Sequence, residues 1–231
     1  HLPTWTEQSF PGLLGNVVTG RITNRFGLGG TNAVVDAACA SSLAAVQYGL
    51  SDLISGRSDV VITGGADTLN DTFMYQCFTR TPAFTKKGDA TPFDEKSDGI
   101  LIGEGIAMVV CKRLEDAERD GDRIYAVLKG LGSSSDGRYK SIYAPNPDGQ
   151  AKCLRRAYES ADVDPHTVEL IEAHGTGTKA GDVAEISGLK QVYGDSAENG
   201  RWVQLGSVKS QIGHTKSTAG AAGLLKAALA L

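Results

Sequence analysis

No segment of this sequence approaches the ~20 consecutive apolar residues a helix needs to cross a bilayer. The opening His1-Leu2-Pro3-Thr4 carries no signal-peptide pattern, so no membrane span and no secretion are expected. A basic surplus is also missing, since 23 Lys and Arg stand against 27 Asp and Glu, a formal net charge of −4. Without surplus cations to displace counterions, a broad nucleic-acid footprint is not expected, although a few local basic groups can still meet phosphates. The four cysteines, Cys39, Cys77, Cys111 and Cys153, form no C-x-x-C pair and no Cys/His cluster with zinc spacing. A bound metal is therefore not expected, and a reducing, cytoplasmic setting fits best. The phosphate-loop pattern Gly-x-x-x-x-Gly-Lys-Ser/Thr is absent, as are tandem repeats. There is no initiator Met, and the apolar run Ala221 to Leu231 stops without a cap, so both ends read as cut.

What the sequence does have is enough chain, at 231 residues and 41% hydrophobic content, to bury a core of ordinary size. Apolar runs of strand length recur at 32–35, 59–63, 106–110, 125–128, 168–172 and 203–208. Several read as strands buried on both faces. Helical patterns lie at 41–55, 149–160, 182–193 and 218–231. This mixture predicts an α/β fold with helices covering sheet faces. The charged stretch Lys112 to Arg123 reads as a solvated helix and turn with ion pairs. It divides the sequence into a half at about 1–120 and a half at about 121–231.

Cys39 lies where the apolar run Val34-Val35-Asp36-Ala37-Ala38 gives way to the helical stretch Ala40-Ser41-Ser42-Leu43-Ala44-Ala45-Val46. A thiol at a strand-to-helix turn meets the positive end of the helix dipole, which favours thiolate. A lone cysteine among alanines is also commonly an inert core residue. Two histidines follow apolar runs: His174 opens the turn His174-Gly175-Thr176-Gly177-Thr178, and His214 follows Lys209-Ser210-Gln211-Ile212-Gly213. A thiol followed by a histidine fits a cysteine peptidase too, but that reading leaves the second histidine and the threonine turn without a task.

Together, Asp36-Ala37-Ala38-Cys39-Ala40-Ser41-Ser42, Glu172-Ala173-His174-Gly175-Thr176-Gly177-Thr178 and Gly206-Ser207-Val208-Lys209-Ser210-Gln211-Ile212-Gly213-His214-Thr215 resemble the three active-site motifs of β-ketoacyl synthases. Order and spacing match, and Phe93-Asp94-Glu95-Lys96-Ser97-Asp98-Gly99 with Gly103-Glu104-Gly105 resembles the family as well. The wording Gln211-Ile212-Gly213-His214-Thr215-Lys216-Ser217-Thr218 looks nearest to ketosynthases of bacterial polyunsaturated fatty acid synthases, relatives of polyketide synthases.

The resemblance implies a thiolase-like layered αβαβα fold, present as an incomplete fragment, in a parent that is a homodimer. It implies that Cys39 accepts an acyl group, and that His174 and His214 assist decarboxylation of a malonyl unit and stabilise the enolate. Lys209 would pair with Glu185, with Asp182 a weaker member of that network. Thr176 and Thr178 would contact the phosphopantetheine arm of an acyl carrier protein, and the Cys39 N–H would be one oxyanion donor. Phe78 would line the acyl pocket or serve as an ordinary core or interface aromatic. No cofactor is expected on the chain itself, because the phosphopantetheine belongs to the carrier. Val183 follows Asp182 where modular polyketide ketosynthases usually have proline. Family members are also longer at both ends, so the isolated piece is expected to be unstable or inactive. The non-enzymatic alternative is a partner subunit that shapes chain length or only scaffolds the dimer. Such partners typically replace the cysteine, which this chain retains.

Overall fold

A computed structural model describes residues 4–81, 83–194 and 203–231. The opening segment read for a signal therefore lies mostly outside the described residues, at 1–3. Helix α1 spans Val17–Phe26, α2 Ser41–Ile54, α3 Thr72–Arg80, α4 Leu114–Asp120 and α5 Pro147–Ala161. Farther along come α6 at Lys179–Tyr193, the short α7 at Lys209–Ile212 and α8 at Ala219–Ala230. Strands β1 (Val60–Asp67) and β2 (Gly105–Lys112) pair antiparallel, from Val60 opposite Lys112 to Asp67 opposite Gly105. Strands β3 (Leu170–Glu172) and β4 (Gln204–Gly206) pair in parallel.

Side-chain caps explain the starts of α3, α5 and α6. Asp71 accepts the Met74 N–H at 2.8 Å to cap α3, and Asn146 accepts the Asp148 N–H ahead of Pro147 at the start of α5. Each such cap stabilises its helix by about 1 kcal/mol. Helix α4 ends at Gly121, whose φ of +71° is the left-handed conformation that glycine adopts without a Cβ clash.

The layers meet at α8, which touches β1 and β2 on one side and β3 on the other, with α2 packed beside it on β1. Its sequence is almost all Ala, Gly and Leu, and its small residues let backbones approach closely. Ala221 is wholly buried, and its N–H donates to Ser42 Oγ at 2.9 Å, joining α8 to α2. At Gly65 of β1 a Cβ would stand 2.8 Å from Thr218 Cα and 2.9 Å from Ser42 Cβ, so only glycine allows this contact.

Four of the expected strands form, but 32–35 and 125–128 form no ladder among the described residues. The expectation of burial on both faces also fails. Ala107 is buried, whereas its neighbours Ile106 and Val110 point outward and are 68% and 71% exposed. Helices cover one face of the β1–β2 ladder, and no described element covers the other. The charged stretch is less solvated than expected, because Asp116 and Ala117 are buried. Arg113 Nε bonds Asp116 at 2.5 Å, while its Nη1 donates to the Leu53 and Ser58 carbonyls, so α4 is clamped to the end of α2.

Candidate active site

The turn before α2 presents Cys39. Asp36 Oδ1 accepts the Ala38 N–H, and Ser41 Oγ accepts the Ala37 N–H while donating to the Ala38 carbonyl at 2.7 Å. These bonds hold Ala38 at φ +49°, a left-handed conformation costly for alanine, and bring the half-buried thiol up at the mouth of the helix.

His174 follows β3. Glu185, in the second turn of α6, accepts the His174 and Gly175 N–H groups on its two carboxylate oxygens, each at 2.7 Å. Gly175 has φ +46°, and a Cβ there would stand 2.7 Å from Ser207 Cβ, so the turn requires glycine. His214 is pinned by strand-like bonds on both sides: its N–H donates to Leu101 O at 2.6 Å and its carbonyl accepts the Gly103 N–H at 2.9 Å.

These loops converge. Cys39 Sγ and one nitrogen of each of His174 and His214 lie within 4.8 Å of one another, and the two rings meet edge to face at 5.4 Å. Burial, together with the Lys209 charge, lowers the His174 pKa to about 4. His174 is exposed on its outer side, with protein packed around the rest of the ring, and the downward direction follows from that packing. Burial first, then His174 and Lys209, takes His214 down to about 3. Both imidazoles are neutral at pH 7. His214 Nδ1 accepts the Lys216 N–H at 2.9 Å, so the ring's single proton sits on Nε2. The spacing of the three side chains alone would suit a metal ion, but that Nε2 carries hydrogen and Lys209 adds positive charge beside it. An imidazole N–H so placed can donate a hydrogen bond to an oxyanion.

Cys39 itself is raised above the usual thiol range by burial, against the pull of Lys209 and of its own N–H. Burial thus opposes the thiolate that the helix dipole favours. Lys209 is buried and lowered by that burial, against the attraction of Glu185, Glu172 and Cys39. Glu185 is raised by burial, against its two N–H donors and Lys209. Lys209 and Glu185 therefore act on each other's charge, but the expected direct pair is absent among the described residues. Both Glu185 oxygens are committed to backbone N–H groups.

Thr178 caps α6 by accepting the Gly181 N–H, and its hydroxyl lies 3.0 Å from that of Thr176. Asp182 does not join Lys209; it accepts the Gly177 and Phe93 N–H groups at 3.0 and 2.7 Å and so braces the threonine turn. Phe78 of α3 packs its ring on Phe84 at 5.7 Å, in an aromatic cluster with Tyr75 rather than against the sulfur or the imidazoles. Shallow hollows lined by Arg155, Tyr158 and Gln191 and by Gln76, Thr79 and Arg80 include none of the convergent residues.

Sequence reasoning assigns no role to Glu172, whose carboxylate accepts the Val208 N–H and the Lys226 ammonium, each at 2.5 Å, and so ties β3 to the Lys209 turn. Its place two residues before His174 is the one signal that points to it. Sequence reasoning likewise assigns none to Asp67 or Lys216.

Two family profiles match the chain: "Beta-ketoacyl synthase, N-terminal domain" over residues 4–117 and "Beta-ketoacyl synthase, C-terminal domain" over 125–231. A polyunsaturated fatty acid synthase subunit of Thraustochytrium sp. is 50% identical over all of this chain, which spans 8% of that protein. Among solved structures, the PfaC keto synthase-chain length factor superposes with a TM-score of 0.91 at 38% identity, covering 99% of this chain and 24% of that one. The ketosynthase from module 6 of the bacillaene synthase of Bacillus subtilis 168 gives 0.90 at 32% identity, covering 98% of this chain and 41% of that one. The thiolase-like α/β fold expected from the motifs is the fold these neighbours share. The chain spans well under two thirds of each relative's length.

Proposed function

The chain belongs to the β-ketoacyl synthase family, and we propose that the intact protein elongates an acyl chain by decarboxylative Claisen condensation in polyunsaturated fatty acid or polyketide synthesis. The observation that carries this reading is the convergence of one thiol and two neutral imidazoles, one with its N–H fixed by a backbone bond.

In the first step Cys39 sulfur attacks the carbonyl of an acyl thioester on a carrier protein. The thiol proton passes to the departing carrier thiol, and the acyl group remains on Cys39. The Cys39 N–H stabilises the oxyanion. In the second step the malonyl thioester loses carbon dioxide, and the electrons of the broken C–C bond move onto the thioester oxygen. The His214 Nε2–H and the N–H of neutral His174 stabilise that enolate. Its carbon then attacks the acyl carbonyl, a new C–C bond forms, and Cys39 leaves as thiolate beside the Lys209 ammonium. Desolvation that opposes a resting thiolate also makes the site favour the neutral acyl-enzyme.

Thr176 and Thr178 contact the phosphopantetheine arm, which arrives on the acyl carrier protein. Phe78, packed on Phe84, lines the acyl pocket or serves as an ordinary core or interface aromatic. The halves at about 1–120 and 121–231 supply the nucleophile and both histidines, respectively, and the protein works as a cytoplasmic homodimer. The test uses the full-length protein with acyl and malonyl carrier proteins. Cys39→Ala is expected to abolish acyl-enzyme formation and condensation, whereas His214→Ala keeps acylation and loses condensation. Normal condensation by both variants would overturn the reading, and a wild type that neither acylates nor condenses would favour a scaffold partner.

A further inference from the structure

Lys216 combines features that the reaction above leaves without a purpose. It is 7% exposed, yet its ammonium has all three hydrogens matched to oxygen: Asn70 Oδ1 at 2.6 Å, the Gly103 carbonyl at 2.9 Å and Asp67 Oδ1 at 2.9 Å. Its φ is +49°, a left-handed conformation that costs a residue with a Cβ about 1–2 kcal/mol. Its own N–H is the donor to His214 Nδ1.

The torsion matters because it is the joint between two pinned segments. On one side, His214 is held by Leu101 and Gly103. On the other, the Ser217 N–H and hydroxyl reach Asp67 Oδ2, and Thr218 Oγ1 donates to the Gly105 carbonyl at 2.9 Å. If φ at 216 relaxed to the ordinary negative range, one flank would have to swing against the other. Because both flanks are pinned, the change would be taken up by an opposite change in ψ at 215, which turns the 215–216 peptide and carries the Lys216 N–H away from His214 Nδ1. Gly103 closes the device, donating its N–H to the His214 carbonyl while its own carbonyl receives the Lys216 ammonium.

We infer that Lys216 is a positioning residue for His214: its ammonium, held by Asp67, Asn70 and Gly103, keeps the left-handed turn that leaves the His214 proton on the nitrogen facing Cys39. Asp67 suits this task. Burial pushes its carboxyl up, but bonds from Lys216 and Ser217 hold it below the usual range, so it stays ionised. The role rests on the proposed condensation only for its effect on rate. The tautomer it sets is measurable without turnover.

The experiment compares Lys216→Met with Lys216→Gly in the full-length protein. Both leave Asp67 without its ammonium, but glycine reaches positive φ without a Cβ penalty. Acylation of Cys39, condensation and the ¹⁵N signature of His214 in histidine-labelled protein are measured for each. Lys216→Met is expected to lower condensation by about a hundredfold, the cost of a misplaced catalytic group. Acylation stays near wild type, and the Nε2–H signature of His214 becomes a mixture of tautomers. Lys216→Gly should retain most of the condensation and the single tautomer. Equal losses in both variants, equal falls in acylation and condensation, or an unchanged His214 signature in Lys216→Met would overturn the inference. If wild type does not condense while the signature shifts only in Lys216→Met, the condensation reading fails and the positioning role stands.

Discussion

Glu185→Gln perturbs the site at one atom. The carboxylate accepts two backbone N–H groups, from His174 and Gly175, each at 2.7 Å. A Gln carbonyl can keep one of these bonds, but its NH₂ then faces the second N–H, donor against donor. One charge-assisted bond worth about 1.5–3 kcal/mol is lost and a buried donor is left unsatisfied, so a total of about 2–4 kcal/mol is expected. Lys209 also loses a neighbouring negative charge that opposes the lowering of its pKa by burial. Urea unfolding of the full-length protein should register the lost stability. The unfolding slope should be unchanged, since the surface exposed on unfolding is the same. In rapid-quench assays, condensation should fall by about a hundredfold as the His174 turn shifts, while acylation of Cys39, carried by a different element, falls far less. A midpoint within error of wild type together with unchanged condensation would refute the assignment of Glu185 as the clamp of His174.

Two further outcomes are expected from the same geometry. His174 and His214 have folded pKa values of about 4 and 3 against an unfolded value near 6.5, so below pH 6.5 the unfolded chain binds protons that the folded chain refuses. Their contribution to stability is complete above pH 6.5 and is lost as pH falls toward 4 and then 3. A pH series of urea midpoints should decline through that window, and His214→Gln should flatten the decline; identical slopes would refute buried neutrality. Thr178→Ala removes the N-cap of α6 and should cost about 1 kcal/mol in thermal unfolding. If the hydroxyl also meets the carrier arm, KM for the malonyl carrier rises with kcat little changed, Thr178→Ser restores both, and an unaltered KM removes Thr178 from the binding site.

How much of this is legible in the residues depends on the range of the interaction involved. Helices α2, α5, α6 and α8 lie within a few residues of the helical patterns, because apolar periodicity and nearby capping groups act over one or two turns. The segments 32–35 and 125–128 carry the same β-rich wording as β1 and β2, but a strand is defined by a partner that local sequence does not name. Helices α1 and α3 escape such a reading, since neither carries a long apolar stripe. In the site, Cys39, His174 and His214 stand out as residue types in characteristic settings. Asp182 and Glu185 lie three residues apart in α6, yet one braces the threonine turn and the other clamps His174, a division set by which N–H groups point at each carboxylate.

The order of residues is enough to specify the local pieces and their chemical inventory: a thiol before a helix, a glycine-threonine turn after a short strand, and a histidine with a lysine five positions ahead. Those depend on short-range sterics, capping and side-chain identity. Their charge and direction come from the folded arrangement alone. It brings three side chains from separated loops within 4.8 Å, surrounds them with enough protein to keep both imidazoles neutral and to oppose the thiolate, and fixes the His214 proton on Nε2 through the Lys216 N–H. Desolvation and convergence are properties of what surrounds a residue, and those surroundings come from elements as far apart in the chain as β1 and α8.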